Sequence, residues 1–242
     1  MIVRYILEAL IQVAPLSLTA VLILQNRSKS NYLRIFFFSI IFVSYQVILV
    51  LPRVFASLNF IKSNWNWTGK LFGIVFGIIC YFVFKKYFAP NNFFTFRQSI
   101  ENKGKTIIVS VTVIVVISVL YYFIGQSDFN IETLVFQLTM PSLDEEIMFR
   151  GILLGLLLTA LPNKIPILGN PSILLTAILF GFLHALSLNK DYTLSFELTY
   201  FLHTGIGGYV FGWIAVKSRS ILLPIITHGL TNCLASLSTM IK

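Results

Sequence analysis

Residues 131–161, IETLVFQLTMPSLDEEIMFRGILLGLLLTAL, set the fold problem. Three consecutive acidic residues, Asp144, Glu145 and Glu146, interrupt an apolar run, and Arg150 follows one turn on. On an insertion scale a charge at the bilayer centre costs about 2.5 to 3.5 kcal/mol. Four unpaired ones cost on the order of 10 to 14 kcal/mol, and the following Ile/Leu run returns about 3 to 4. Neighbouring helices or water must therefore hold this segment. Since the whole chain has only nine Asp and Glu residues, three in a row is its main anomaly.

The surrounding composition makes lipid the solvent. Of 242 residues 57% are hydrophobic and 11% charged, against roughly 45–50% and 25% in a soluble domain. A soluble globular fold is excluded on that balance. Spans of about 20 apolar residues are expected near 4–24, 33–52, 70–88, 105–124, 131–161, 172–187, 196–216 and 221–239. The expected fold is an all-α, polytopic transmembrane helix bundle of about eight spans, with a polar catalytic cavity inside the membrane. Eight spans leave no room for a soluble domain.

The first segment is a poor cleavable signal peptide, because Glu8 and Pro15 break its apolar region and no A-x-A-like site follows. It is expected to be retained. Cys80 and Cys233 both lie in apolar runs, so neither a disulfide framework nor a zinc ribbon can be built. The 18 Lys and Arg are scattered over short gaps without an aromatic-basic stripe, which argues for topology signals and against nucleic acid.

Arg27, Lys29, Arg34, Lys85, Lys86, Arg97, Lys103, Lys105, Lys164, Lys217 and Arg219 collect on one side of the predicted bundle. Arg4, Arg53, Lys62, Lys70, Lys190 and Lys242 collect on the other. Eleven against six places the basic 85–105 loop inside and both termini outside the cytoplasm, in a multi-pass plasma-membrane protein. Gly73/Gly77, Gly151/Gly155 and Gly208/Gly212 are small-xxx-small pairs, expected to serve packing within the bundle rather than a dimer interface.

Helical spacing sorts the polar residues. Glu146 and Arg150 are i and i+4, the favourable order for an ion pair. Glu145 points about 100° away and is expected to be free for chemistry. Intramembrane carboxylates mark function by default; the alternative is a neutralised packing device or an edge near the headgroups. All three histidines, His184, His203 and His228, fall within predicted spans near the C-terminus. His203 stands alone and is read as a packing residue. Phe180 lies one turn before His184 on the same face, placed to wall a dry cavity. His228 and Asn232 share a face at i and i+4, presenting a titratable ring beside a neutral donor.

These three helices carry the equipment for hydrolysing an amide around one water. Glu145 takes its proton as general base, the histidines orient it or protonate the leaving amine, and Asn232 donates to the developing oxyanion. Two other classes use the same residues: a proton- or ion-coupled transporter, although the matching half-repeats typical of transporters are missing, and a non-catalytic membrane scaffold or sensor.

Glu145-Glu146-x-x-x-Arg150, Phe180-x-x-x-His184 and His228-x-x-x-Asn232, in that order on successive membrane helices, resemble the CPBP family of intramembrane proteases. That family comprises CAAX-type prenyl-protein endopeptidases and bacteriocin-processing or self-immunity (Abi) proteins. The run Pro141–Gly151 is especially similar to its first motif. The resemblance covers about 138–235 and leaves Asp144 and His203 outside the motifs. It divides the chain into N-terminal helices over 1–130, without a recognised motif, and a catalytic bundle over 131–242, together forming one integral membrane domain.

The resemblance implies an endopeptidase acting on a membrane-associated or lipidated protein or peptide. Glu145 would activate the water, with Glu146 and Arg150 supporting the motif. His184, His228 and Asn232 would complete the site, and Phe180 would line it. Members are commonly labelled metalloproteases, yet a metal-free glutamate mechanism has also been proposed. The zinc motif H-E-x-x-H is absent here. The expected cofactor is none, or a single divalent metal such as zinc on Glu145, His184 and His228. The expected partners are the substrate and the lipid bilayer, with no nucleic acid.

Overall fold

The computed structural model describes residues 1–89 and 91–241; Lys242, counted among the loop charges, lies outside them. The chain forms α1 (Ile2–Leu22), α2 (Lys29–Val54), α3 (Trp67–Phe88), α4 (Lys103–Ile124) and α5 (Ile131–Glu146). A π-helical segment, Ile147–Leu153, joins α5 without a break to α6 (Leu154–Ala160). Then come α7 (Pro171–Ala185), a hairpin of β1 (Leu186–Leu188) and β2 (Leu194–Phe196), α8 (Leu198–Ser218) and α9 (Leu222–Met240).

The protein is a helical membrane bundle, and its rods lie close to the eight predicted stretches. Helices α1 to α4 are each long and apolar enough to cross a bilayer. The rods that follow fall short of that measure, α7 because it has only 15 residues and 131–160 because it carries the acidic cluster.

Helix starts follow the sequence. Ser28, Asn66, Asn130 and Asn170 each accept a hydrogen bond from a backbone N–H of the first turn they precede, the usual work of an N-cap. Pro171 opens α7 at the first helical position, where its missing N–H is harmless.

The chain runs up and down between two ends. At one end the backbone of Gln25 bonds to Ala160, Ile221 to Phe93 and Ser99 to Ser218. Arg34 there donates to the Tyr87 carbonyl at 2.7 Å. The loops carrying most of the basic residues therefore meet at one end, as the charge count expects. At the other, Trp65 and Trp67 donate to Thr133 and Glu132, and Ser127 bonds to Thr239.

Helix α1 is built into the bundle through Ala9, Gln12, Val13, Leu16 and Ala20, all buried. Glu8, a flaw in the apolar run, accepts from the Leu188 backbone N–H at 2.7 Å, while Arg4 donates to the Leu188 carbonyl at 2.8 Å. The hairpin, which helical periodicity does not announce, pairs Leu186 with Phe196 and Leu188 with Leu194. Residues 147–157 are buried throughout, so the rod carrying the acidic cluster forms the centre.

All three glycine pairs pack inside the bundle. A Cβ at Gly73 would run into Asp144 and at Gly77 into Ile147, while at Gly155 it would crowd Phe88 and at Gly208 Phe180. Cys80 and Cys233 are both free thiols.

Candidate active site

Four rods bring the polar residues together. The acidic triplet lies at the end of α5, where the backbone widens into the π-helical segment carrying Arg150. Such segments often mark functional sites, because the extra residue per turn re-aims neighbouring side chains. His184 stands in the last turn of α7, and His228 one and a half turns into α9.

Each carboxylate has its own partners. Glu146 is fully buried, and its Oε1 accepts from Arg150 Nη1 at 3.0 Å and His228 Nδ1 at 2.8 Å. The Glu146–Arg150 pair thus forms as the spacing predicts. Arg150 also donates to the Gly208 carbonyl at 3.0 Å, with its guanidinium 4.7 Å from the Phe180 ring centre and 5.6 Å from that of Phe211. A planar cation suits this stacked, forked environment better than a lysine.

Glu145 is not free, contrary to the expectation from helical angle. Lys70 of α3 donates to its Oε1 at 2.7 Å and to Asp144 Oδ2 at 2.8 Å. The same Asp144 oxygen accepts from the Tyr45 hydroxyl at 2.7 Å. Lys70, placed among the loop charges by sequence, sits inside the bundle with its side chain 14% exposed. The charges that make 131–161 costly are therefore paired, which is the condition for burying them.

Both imidazoles face the remaining oxygen of Glu145. His184 Nδ1 donates to the Phe180 carbonyl at 2.8 Å, and His228 Nδ1 donates to Glu146. A neutral ring with its proton on Nδ1 leaves Nε2 as an acceptor. His184 Nε2 is 4.0 Å and His228 Nε2 3.9 Å from Glu145 Oε2. These gaps exceed a direct hydrogen bond; two bonds of about 2.8 Å meeting near a right angle at one water span about 4 Å. Phe180 lies against both rings, at 4.6 Å from His184 and 6.1 Å from His228, and Phe211 stacks on His228 at 4.9 Å.

Of the predicted residues, Glu145, Glu146, Arg150, His184 and His228 therefore converge. Asn232 follows His228 by one turn, half-buried, and makes no side-chain hydrogen bond among the described residues. His203 is exposed on α8 beside Tyr121, away from the cluster. Sequence reasoning missed Lys70 and Tyr45. A lysine at the mouth of an apolar span, between Gly69 and Gly73, was the available signal for the first.

The donors do not fit a tetrahedral zinc as they stand. Bonds of about 2.1 Å at the tetrahedral angle require donor atoms about 3.4 Å apart, whereas Glu145 Oε2 stands 3.9 and 4.0 Å from the two nitrogens. The other Glu145 oxygen already holds a cation in Lys70. Among the described residues no three His, Cys, Asp or Glu side chains group closely enough to hold a metal ion.

Residues 127–234 match the family model of the type II CAAX prenyl endopeptidases, Rce1-like. The resemblance to CPBP proteases expected from the three motifs is thus met over nearly the same stretch. That segment is similar to CAAX-type peptide hydrolases of the membrane, and contains every converging residue except Lys70 and Tyr45. No curated protein and no solved structure matches the chain.

Proposed function

We propose that the protein is an intramembrane endopeptidase hydrolysing a peptide bond of a membrane-associated or lipidated protein or peptide, with a water activated by Glu145. One observation carries this reading: two imidazole Nε2 atoms stand 3.9 and 4.0 Å from one carboxylate oxygen, the spacing of a water that donates one hydrogen to Glu145 Oε2 and the other to one of the two rings. The water gives a proton to Glu145 Oε2 or an imidazole while its oxygen attacks the scissile carbonyl carbon. The Asn232 amide donates to the oxyanion. As the C–N bond breaks, the stored proton passes to the leaving nitrogen, so the products are an amine and a carboxylic acid, and the acid then gives its proton to the vacated base.

Glu146 and Arg150 hold the frame, Glu146 by fixing the ring of His228 and Arg150 by neutralising Glu146. No step needs a metal. Residues 131–242 carry the chemistry and 1–130 frame it, in a plasma membrane with both termini outside the cytoplasm. Reporter fusions at the two termini test that orientation.

The functional test uses purified Glu145→Ala and His228→Ala in proteoliposomes with a quenched-fluorescent farnesylated peptide ending in Cys-aliphatic-aliphatic-X, and its unprenylated twin. Both variants lose cleavage while keeping wild-type elution and melting. Intact processing by either overturns the reading. Comparison of wild-type and Glu145→Gln membrane proteomes then identifies the natural substrate as the protein that accumulates uncut.

A further inference from the structure

Glu145 can act as a base only if the oxygen facing the imidazoles stays there. A glutamate side chain has three rotatable bonds, so a fixed aim requires a partner on the other oxygen. That partner is Lys70, 2.7 Å from Oε1. The ammonium is anchored in turn, since Asp144 Oδ2 accepts from it at 2.8 Å and from the Tyr45 hydroxyl at 2.7 Å. A chain of contacts therefore runs from Tyr45 on α2 through Asp144 and Lys70 to Glu145.

The packing of α3 serves the same contact. Asn66 caps the helix by accepting from the Gly69 N–H, and donates to the Leu49 carbonyl of α2 at 2.9 Å. One turn beyond, Gly73 leaves space that Asp144 fills. These contacts set the depth and approach of the helix, and so where the Lys70 ammonium lies. A compact cation with three donors can serve two carboxylates at once.

We infer that Lys70 is a positioning residue of the active site, holding Glu145 through Oε1 so that Oε2 faces His184 and His228, with Asp144 and Tyr45 as its anchors. The inference rests on the endopeptidase reading. It gives the N-terminal helices, outside the matched 127–234 segment, a direct part in the site.

The competing role is charge balance alone, with Lys70 merely neutralising buried Asp144. The double variant Lys70→Met/Asp144→Asn separates the two, because it removes one positive and one negative charge together. If Lys70 positions Glu145, the folded double variant cleaves the farnesylated peptide with kcat lowered on the order of 100-fold, the scale of a misplacement of about 1 Å. Its KM stays within about 2-fold, because the interaction is not one with the substrate.

A double variant with wild-type kcat overturns the assignment. If it does not fold, Tyr45→Phe decides instead, since that change removes only the hydroxyl holding Asp144. Its kcat falls several-fold at unchanged KM, and wild-type kcat overturns the assignment in the same way. Glu145→Gln is measured alongside. If it still cleaves, the endopeptidase reading itself fails; if it is inactive while the double variant is normal, only the role of Lys70 fails.

Discussion

His228 donates its Nδ1–H to Glu146 Oε1 at 2.8 Å while its Nε2 faces Glu145 Oε2 at 3.9 Å. Adjacent carboxylates thus flank opposite edges of one ring, Glu145 facing its Nε2 and Glu146 fixing its tautomer through Nδ1. A third group, Arg150, completes the arrangement by sharing Glu146 Oε1.

Glu146→Gln tests that division of labour. The amide preserves shape but leaves Arg150 buried without its counter-charge, and breaking a buried pair costs about 3 to 5 kcal/mol. The melting temperature in detergent should drop accordingly. His228 keeps at most a neutral amide oxygen as the acceptor for its Nδ1–H, which no longer offsets the charge the ring gains on taking a proton, and kcat should fall on the order of 10²- to 10⁴-fold, as when an orienting carboxylate becomes an amide in a serine protease. A stable, fully active Glu146→Gln protein is incompatible with the geometry described.

Gln12 offers a second test, at the opposite side of the cluster. Its Nε2 donates to the Phe182 carbonyl at 3.2 Å and the Leu186 carbonyl at 2.7 Å, closing the end of α7 just where His184 stands. Gln12→Leu leaves both carbonyls without this donor, a loss of about 1 to 3 kcal/mol for a buried acceptor. Thermal unfolding should register that loss, and cleavage should slow because the backbone carrying His184 is less constrained. Unchanged melting and kcat would remove α1 from the account.

The glycine pairs make a sharper contrast. At Gly73 an added Cβ meets Asp144, whereas at Gly104 it meets nothing within 4 Å. Gly73→Ala should cost about 1 to 3 kcal/mol by overpacking and lower kcat by pushing α3, with Lys70, away from the carboxylates. Gly104→Ala should leave stability unchanged or raise it by up to about 1 kcal/mol, through helix propensity alone. Equal effects at the two positions would contradict the packing described.

Much of this site was legible in the sequence, for a physical reason. Charges within an apolar run must find partners, so Asp144, Glu145, Glu146 and Arg150 announced a buried polar centre. The i, i+4 rule then paired Glu146 with Arg150 correctly. The same rule left Glu145 unpartnered, because helical spacing describes only neighbours on one rod and Lys70 lies 75 positions away. The orientation of His228 was equally hidden, since its partner Glu146 is 82 positions distant. The hairpin at 186–196 escaped because three-residue strands are too short to impose a period. Rod boundaries, by contrast, followed from length and hydropathy.

The metal question has a decisive measurement. A zinc peptidase keeps three protein ligands around the ion, and removing the ion abolishes its chemistry. Here Glu145 Oε1 is already bound to Lys70 at 2.7 Å, and Oε2 stands 3.9 to 4.0 Å from both ring nitrogens, wider than one ion can span tetrahedrally. Binding zinc would require Glu145 to turn, and both rings to close in on it. The expected outcome is that protein purified through EDTA and 1,10-phenanthroline keeps kcat within about 2-fold, and that added zinc does not raise it. Stoichiometric zinc by elemental analysis, together with activity lost on chelation and restored by the metal, would show that the three side chains rearrange around an ion, and would replace the Glu145 general-base mechanism with a metal-bound water.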